Sequence, residues 1–495
     1  MLQKVIKNKI HIVFFFFFLI VSSCRYDVYE TPAVTNYPDD VANIIIGKCA
    51  TAGCHNEVSS IGAAGLDLST WEACYRGTNN GAVVIPRRSD FSTLLYFTNT
   101  DSTKGLVVLP TMPINGIPLS DSEYQTLKSW IEAGAKSKLG EVMFPVDANR
   151  RKYYVSNQGC DVVSVFDAKK KVVMAMVDVG QNPGATPPES PHNVKVTPDG
   201  RYWATVFLNS DVVQLYSTVS DELVKTIPIG NGIAGGWNTI CISKNSKFGY
   251  AVDYNGGRVA IVDFGNSTSQ TIGPFPSTGS AINLHGSALN ATDDTLYVTY
   301  QESSKLVKIP LADPSNYEDV NLNPIGPDFS STTLKPHEII FSPDYTKYFV
   351  SCQDVNQVRV FDAATNQLIK VIPVGVYPLE FAMSLENNLL FVTNQEDITF
   401  MPDVKGSVSV IDINSLTEIK KVKVGWQPHG IAVDKANNCV IVANRNFTGG
   451  PAPHHASACA GKNGSLSKID MVTLERDNSF KPELSVDPYS VSIKP

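Results

Sequence analysis

The residues best suited to carry chemistry lie early in the chain, in the stretch CATAGCHN at residues 49–56. Cys49 and Cys54 are followed directly by His55, the groups needed where two thiols add to the vinyl groups of a haem and a histidine binds its iron. Four residues separate the cysteines, whereas two are usual at such sites. A disulfide between Cys49 and Cys54 is the alternative interpretation, and it would leave His55 without a chemical role.

A haem attached there would need a second axial ligand from elsewhere in the chain. The segment VVLPTMPINGIPL offers Met112, whose thioether lies between Pro110 and Pro113 in the sequence. The fixed φ angles of the two prolines restrict this loop and could present the sulfur to an iron. We therefore expect Met112 to be the distal ligand.

Two helices are predicted to frame these ligands. PDDVANIIIGK, which begins at Pro38, has an acidic start and apolar residues at helical spacing, and predicts a short helix ahead of the cysteines. LSDSEYQTLKSWIEAGA follows the methionine loop and predicts an amphipathic helix, with a capping box from Ser120 to Glu123 and a stop at Gly134.

This order of segments resembles class I cytochromes c, and more closely the monohaem cytochrome modules of Planctomycetes and Bacteroidetes. The resemblance covers residues 38–140 and includes GLDLS at 65–69, VVIPRRSDFSTLLY at 83–96 and PLSDSEYQTLKSWIEAGA at 118–135. It implies a small all-α domain with one haem c attached to Cys49 and Cys54 and ligated by His55 and Met112. The four-residue spacer departs from the usual pattern.

Beyond Phe144 the sequence changes to short alternating strands in repeated units. Six copies begin at Pro191, Trp237, Leu284, Pro336, Pro378 and Pro428. A seventh is complete only when DPYSVSIKP at the C-terminus is joined to RKYYVSNQGCDVVSVFD, which begins at Arg151. Residues 145–495 are thus predicted to form an all-β seven-bladed propeller closed by the C-terminal strand, with a β-sandwich as the alternative. The units resemble the Tyr-Val-Thr-Asn family of propellers, most clearly at residues 154–157 and 391–394.

Four of the eight histidines occupy the same position in their repeats, just before the predicted innermost strand. They are His192, His285, His337 and His429. Such imidazoles could converge near the propeller axis, where they could bond the backbone of a neighbouring blade, bind a metal such as copper, or act as a general base. The propeller partly resembles those of nitrous oxide reductase, of haem-containing nitrite reductases, and of lactonases that carry a Pro-His before a PDGRY-like turn.

An insertion in the predicted seventh blade, within the repeat that begins at Pro428, adds three further candidates and reads NFTGGPAPHHASACAGKNGS. His454, His455 and Cys459 could cap the axial channel or bind a metal, although loops rich in Gly, Pro and Ala often contain histidine without such a role. The propeller cysteines show no spacing typical of a metal site, so disulfides or burial are expected.

The N-terminus indicates export. Lys4, Lys7 and Lys9 precede the apolar run IVFFFFFLIV, and residues 1–23 are predicted to be a signal peptide. VSSC at 21–24 resembles the lipobox of bacterial lipoproteins, which implies lipidation of Cys24, followed by a linker over 24–37. Loss of the signal would change the net charge from −7 to about −10, which gives no indication of nucleic-acid binding.

These features together predict a multidomain, lipid-anchored cell-envelope protein, at the outer membrane and facing either the periplasm or the cell surface. The predicted function is electron transfer through one haem c, as in a haem-dependent oxidoreductase. The partner would be a redox protein or a small-molecule electron donor or acceptor, and the propeller could hold a second redox or metal site. The alternatives are a lactonase-like hydrolase and a non-enzymatic binding or scaffold propeller, each with an accessory haem domain.

Overall fold

A computed structural model describes residues 34–276, 283–324, 334–399 and 404–494 of the chain. The predicted signal peptide, and Cys24 with it, lie outside the described residues. No helix within the described ranges is long and apolar enough to cross a membrane.

Residues 34–140 contain short helices joined by loops. The α-helices are α1 at Asp39–Ile44, α2 at Trp71–Cys74, α3 at Thr93–Thr98 and α4 at Asp121–Glu132. One π-helical turn at Ile45–Cys49 continues α1, and short 3-10 turns follow at Ser60–Gly62, Ser89–Phe91 and Ser102–Lys104. The two helices predicted to frame the ligands are therefore present.

Helix α4 has the predicted capping box: Ser120 Oγ accepts from the Glu123 backbone N–H, and the Glu123 carboxylate accepts from the Ser120 backbone N–H. Its apolar face is buried against α1, with Leu127 and Ile131 fully enclosed. Such a cap satisfies backbone donors that would otherwise lack partners, so the start of α4 is fixed. This core holds the segment from which the cysteine loop departs.

Strands of residues 152–494 form seven four-stranded antiparallel sheets in the described part of the chain, and we number them β1 to β28 in chain order. The innermost strands are β4 (Pro191–Val196), β8 (Trp237–Ile242), β12 (Leu284–Leu289), β16 (Pro336–Phe341), β20 (Pro378–Ser384), β24 (Pro428–Asp434) and β28 (Pro488–Lys494). The second strands are β1 (Lys152–Asn157), β5 (Tyr202–Phe207), β9 (Phe248–Asp253), β13 (Thr295–Tyr300), β17 (Lys347–Cys352), β21 (Leu389–Asn394) and β25 (Cys439–Asn444).

Two further strands complete each sheet. The third strands are β2 (Val162–Asp167), β6 (Val212–Ser217), β10 (Arg258–Asp263), β14 (Lys305–Pro310), β18 (Gln357–Asp362), β22 (Ser407–Asp412) and β26 (Asn463–Asp470). The outer strands are β3 (Val172–Asp178), β7 (Leu223–Pro228), β11 (Thr268–Ile272), β15 (Glu318–Asn321), β19 (Leu368–Pro373), β23 (Thr417–Lys423) and β27 (Glu483–Val486). This is a seven-bladed β-propeller, as predicted.

The first blade is built from both ends of the propeller sequence. β28 pairs with β1, and its Val491 lies opposite Val155. The remaining strands of this blade, β2 and β3, follow directly in the chain. The predicted closure by the C-terminal strand is confirmed, and it leaves the ring of blades without an open edge at the seam.

The hydroxyl residue of the Tyr-Val-Thr-Asn pattern joins neighbouring blades. Thr393 Oγ1 donates to the His429 carbonyl oxygen at 2.9 Å, and Thr299 Oγ1 donates to that of His337 at 3.0 Å. The asparagine of the pattern stays within its own blade, where Asn394 Nδ2 donates to the hydroxyl groups of Ser407 and Ser409. The repeat sequence thus encodes contacts within and between blades.

The helical part packs against the first and seventh blades. Arg88 donates to the Met176 carbonyl oxygen at 2.8 Å and pairs with Asp178, while the Glu483 backbone N–H donates to the Asn80 carbonyl oxygen at 2.7 Å. Ile85 is buried among side chains of these blades. One face of the helical part therefore lies on the propeller.

Candidate functional site

The cysteine loop is closed by its own hydrogen bonds. The Cys54 backbone N–H donates to the Thr51 carbonyl oxygen at 3.0 Å, and that of His55 donates to the Cys49 carbonyl oxygen at 3.1 Å. Gly53 has φ +82°, a left-handed conformation that glycine adopts without strain. The four-residue spacer thus folds back, so that both cysteines and His55 border one space.

Both cysteines of the motif are free thiols in the described structure. Cys49 is buried at the end of the π-helical turn and Cys54 is exposed. Burial raises the pKa of the Cys49 thiol to about 11. The disulfide alternative is therefore not formed in this structure.

His55 is held as a neutral imidazole. Burial lowers its pKa, and the backbone of Leu66 partly opposes this effect. Its Nδ1 atom is buried without a hydrogen-bond partner in the described residues. A neutral imidazole is the form that binds metals.

Met112 borders the same space. Its backbone N–H donates to the carbonyl oxygen of Phe97 at 2.6 Å. Phe97 lies in α3, so this bond ties the methionine loop to that helix. The Asn99 side chain donates to the carbonyl oxygens of Gly105 and Leu106 and so anchors the start of the loop. The thioether is held on a loop fastened at two points.

Together these residues border a cleft of about 530 Å³, within the usual size range of sites that enclose a ligand. Cys49, Cys54, His55 and Met112 all line it, as the sequence predicts. The walls are mostly apolar and include Leu66, Leu68, Val83, Leu94 and Phe97. Two thiols, a neutral imidazole and a thioether around an apolar cleft form a donor set that fits haem c.

The seventh-blade insertion reaches this cleft, and His454 and His455 contribute to its lining. A disulfide between Cys160 and Cys459 fastens the insertion to the first blade. The prediction that Cys459 could bind a metal is therefore wrong, because its sulfur is already bonded. The disulfide expected among the propeller cysteines is confirmed for this pair.

The Glu483 carboxylate organises the two histidines of the insertion. It accepts hydrogen bonds from the backbone N–H groups of His454 and His455, the latter at 2.9 Å, and lies 3.0 Å from His455 Nδ1. His455 is buried, whereas His454 is exposed. The His-His pair is the sequence signal for this part of the cleft, but the sequence does not show that the insertion meets the cysteine loop.

The four repeat-phased histidines form a second cluster at the centre of the propeller. Together with Tyr489 they make a closed circle of rings, in which neighbouring centroids are 3.7–5.9 Å apart. All four are buried, and each is the second residue of an innermost strand rather than the residue before it. The predicted convergence at the axis is therefore present.

Three of these rings bond the backbone of another blade. Nδ1 of His192 lies 2.7 Å from the Asn238 carbonyl oxygen, Nδ1 of His285 lies 3.2 Å from that of His337, and Nδ1 of His429 lies 3.1 Å from that of Tyr489. Because the acceptors are carbonyl oxygens, these Nδ1 atoms carry the proton. Nδ1 of His337 is buried with no hydrogen-bond partner in the described chain. The geometry matches the interpretation in which the histidines join blades.

Burial lowers the pKa of all four rings, to about 4 for His285. Repulsion from neighbouring imidazoles and from the Arg445 guanidinium adds to this effect for the other three. Within the described ranges, no three His, Cys, Asp or Glu side chains are placed to share one metal ion. In this structure the four imidazoles are neutral and packed against one another at the centre of the propeller.

Comparison with known proteins gives similarity of fold. A dihydro-heme d1 dehydrogenase, NirN, solved in complex with DHE, matches with a TM-score of 0.46 and 13% identity over 85% of this chain and 96% of that chain. A protein from Bacteroides uniformis, provisionally assigned as a 6-phosphogluconolactonase, matches with a TM-score of 0.50 and 12% identity over 70% of this chain and 100% of that chain. A similarly assigned protein from Bacteroides fragilis has a TM-score of 0.49 and 14% identity over 71% and 99%.

No protein-family model matches the sequence, and no curated protein matches it either. At these identities the structural matches bear on the fold alone. Function has to be argued from the residues of the site.

Proposed function

We propose that this protein is an exported lipoprotein that transfers electrons through one haem c held in the cleft of its helical part, a class I cytochrome c domain. The proposal rests on the meeting of Cys49, Cys54, His55 and Met112, which come from two separate stretches of sequence, around one apolar cleft. When bound, the haem would supply a one-electron couple. The protein's part is to attach, orient and enclose it.

Each residue has a distinct role in this proposal. Cys49 and Cys54 would hold the group through thioether bonds, and the closed loop sets their spacing. His55, kept neutral by burial, would be one axial ligand, and Met112 would be the other. Thioether ligation favours a relatively high reduction potential.

The apolar walls serve the same purpose. Leu68 and Val83 are buried and line the cleft, so they keep water away from the enclosed group. Low solvent access is one of the means by which a protein sets a reduction potential. The construction of the cleft thus suits an electron carrier.

The Met112→Ala variant tests the ligand assignment. Protein matured in a host competent for haem c attachment should bind the same amount of haem as the wild type, because both cysteines remain. It should lose the weak red absorption band of sulfur-ligated ferric haem, because no thioether reaches the iron. An unchanged oxidised spectrum would exclude Met112 as the ligand.

The hydrolase alternative receives little support from the geometry. His192, the residue of the lactonase-like Pro-His pair, is buried, and its Nδ1 is engaged with the Asn238 carbonyl oxygen. A general base has to reach the proton that it removes. The central ring offers no accessible imidazole in that position.

Whether the propeller also holds a metal is a separate question, and elemental analysis of the purified protein answers it. Because no three His, Cys, Asp or Glu side chains of the described residues are placed to share one metal ion, we expect iron alone, at one atom per chain. Stoichiometric copper would contradict a purely structural ring.

Anchoring through Cys24 completes the proposal. The lipobox-like VSSC segment supports it, and the anchor would keep the haem protein at the cell envelope beside its redox partner. Labelling with a radioactive fatty acid should mark the wild type and not Cys24→Ala. Equal labelling of both would exclude this residue as the anchor.

A further inference from the structure

The polar groups of the cleft differ in whether the protein supplies them with a hydrogen-bond partner. Thr98 Oγ1 donates to the Leu94 carbonyl oxygen at 2.9 Å, and Lys48 pairs with Glu123 at 2.7 Å. By contrast, Thr93 Oγ1 is buried with no hydrogen-bond partner in the described residues. His455 contacts Glu483 through Nδ1, which leaves Nε2 as its other ring nitrogen. A buried hydroxyl without a partner is uncommon and calls for a specific explanation.

Thr93 and His455 lie on the same side of the cleft. Both also line a second, smaller cavity between the helical part and the propeller, with Tyr96 and Glu483. The side chain of Thr93 is nine-tenths buried at the start of α3, and the His455 ring lies 5.9 Å from that of Phe97 in an edge-on arrangement. Both side chains therefore lie where the cleft faces the propeller.

His455 has one of its two ring nitrogens already engaged by the protein. Its Nδ1 faces the Glu483 carboxylate, which is fixed by the two backbone N–H groups of the insertion. With Nδ1 occupied by Glu483, Nε2 is the ring nitrogen left for a group bound in the cleft, and an N–H at that position suits an anionic acceptor.

We propose that Thr93 and His455 form a carboxylate-binding site that holds a propionate group of the haem. This inference rests on the proposed function, and it adds that the seventh blade completes the cofactor site. A buried carboxylate needs paired donors, and Thr93 and His455 are two buried residues of the described cleft lining that could supply them on its propeller side. The carboxylate edge of the haem would then face the propeller, with the disulfide-fastened insertion as its support.

Three single variants of the full chain test the site. Thr93→Val removes the hydroxyl at constant shape, and His455→Phe keeps a planar ring without N–H groups. Thr98→Val is the matched control, because it removes a cleft hydroxyl that already has a backbone partner. For each, haem content is measured by the pyridine haemochrome assay, and the propionate bending band by resonance Raman spectroscopy.

We expect Thr93→Val and His455→Phe to keep the covalent haem and the sulfur-ligation band, and to shift the propionate bending band to lower frequency. Thr98→Val should leave that band unchanged. Loaded protein whose band stays in place in Thr93→Val would overturn the proposal, even if His455→Phe failed to fold. A change of axial ligation in His455→Phe would also overturn it, since His455 would then bind iron.

The proposed electron-transfer function and the proposed carboxylate site are contradicted by different results. If the wild type carries no haem, the proposed function is wrong. If the wild type is loaded and the variants leave the propionate band unmoved, the electron-transfer function stands and only the carboxylate site is wrong.

Discussion

The four histidines of the central ring differ in whether Nδ1 bonds the backbone of another blade, so we expect their replacement to change stability by different amounts. Replacing His429 by Phe would leave the buried Tyr489 carbonyl oxygen without its donor. We expect the free energy of unfolding to fall by about 1–3 kcal/mol, the usual cost of an unsatisfied buried polar group. Urea-induced unfolding followed by tryptophan fluorescence measures this difference.

His337→Phe is the matched control, because the Nδ1 atom that it removes has no partner in the described chain. Its free energy of unfolding should equal or exceed that of the wild type. Equal losses in both variants would show that ring packing alone, and not the bonds between blades, explains the first result.

Residue types and spacing were sufficient to predict which side chains meet at the cleft. Cys49, Cys54 and His55 are contiguous enough for their chemistry to be read directly, and Met112 could be found by searching for a sulfur on a restrained loop. Thr93 could not be found in this way, because a single threonine carries no pattern. Its importance comes from a missing hydrogen bond, which is visible only in three dimensions.

At the scale of elements, the innermost strands bring the four neutral imidazoles together, and this predicts a pH dependence. Folding lowers the pKa of these rings, so the unfolded chain binds more protons below about pH 6.5. Stability is therefore fully present above that pH and falls as the pH decreases towards 4. Each ring contributes a slope of up to about 1.4 kcal/mol per pH unit.

Two carboxylates of the innermost strands act in the opposite direction. Burial raises the pKa of Glu338 and of Glu380, so their contribution is lost as the pH increases. Unfolding in urea at a series of pH values should show a shallower slope between pH 6.5 and 4 for His429→Phe than for the wild type. Parallel curves would contradict the burial argument.

The elements themselves were largely predictable. Each of the six predicted repeats begins at the first residue of an innermost strand. The signal was a proline or large apolar residue followed by a regular alternation of apolar and polar residues. The joining of the two chain ends in the first blade also followed from sequence matching. The histidines were expected just before the innermost strand but lie within it, since each strand begins one residue before its histidine.

At the scale of the whole molecule, the sequence did not predict how the two parts meet. Cys160 and Cys459 are separated by 299 residues, and several free cysteines offered other pairings. The approach of His454 and His455 to a cleft formed some 400 residues earlier likewise depends on how the helical part packs on the first and seventh blades. Such packing arises from surface complementarity, which has no periodic sequence signal.

The pyridine haemochrome assay, applied to the full chain matured where haem c is attached, measures the covalently bound haem. We expect one haem per chain, retained after acid–acetone extraction, and none in a Cys49→Ala/Cys54→Ala double variant of equal fold. Wild-type protein with an intact propeller and no covalent haem would contradict it.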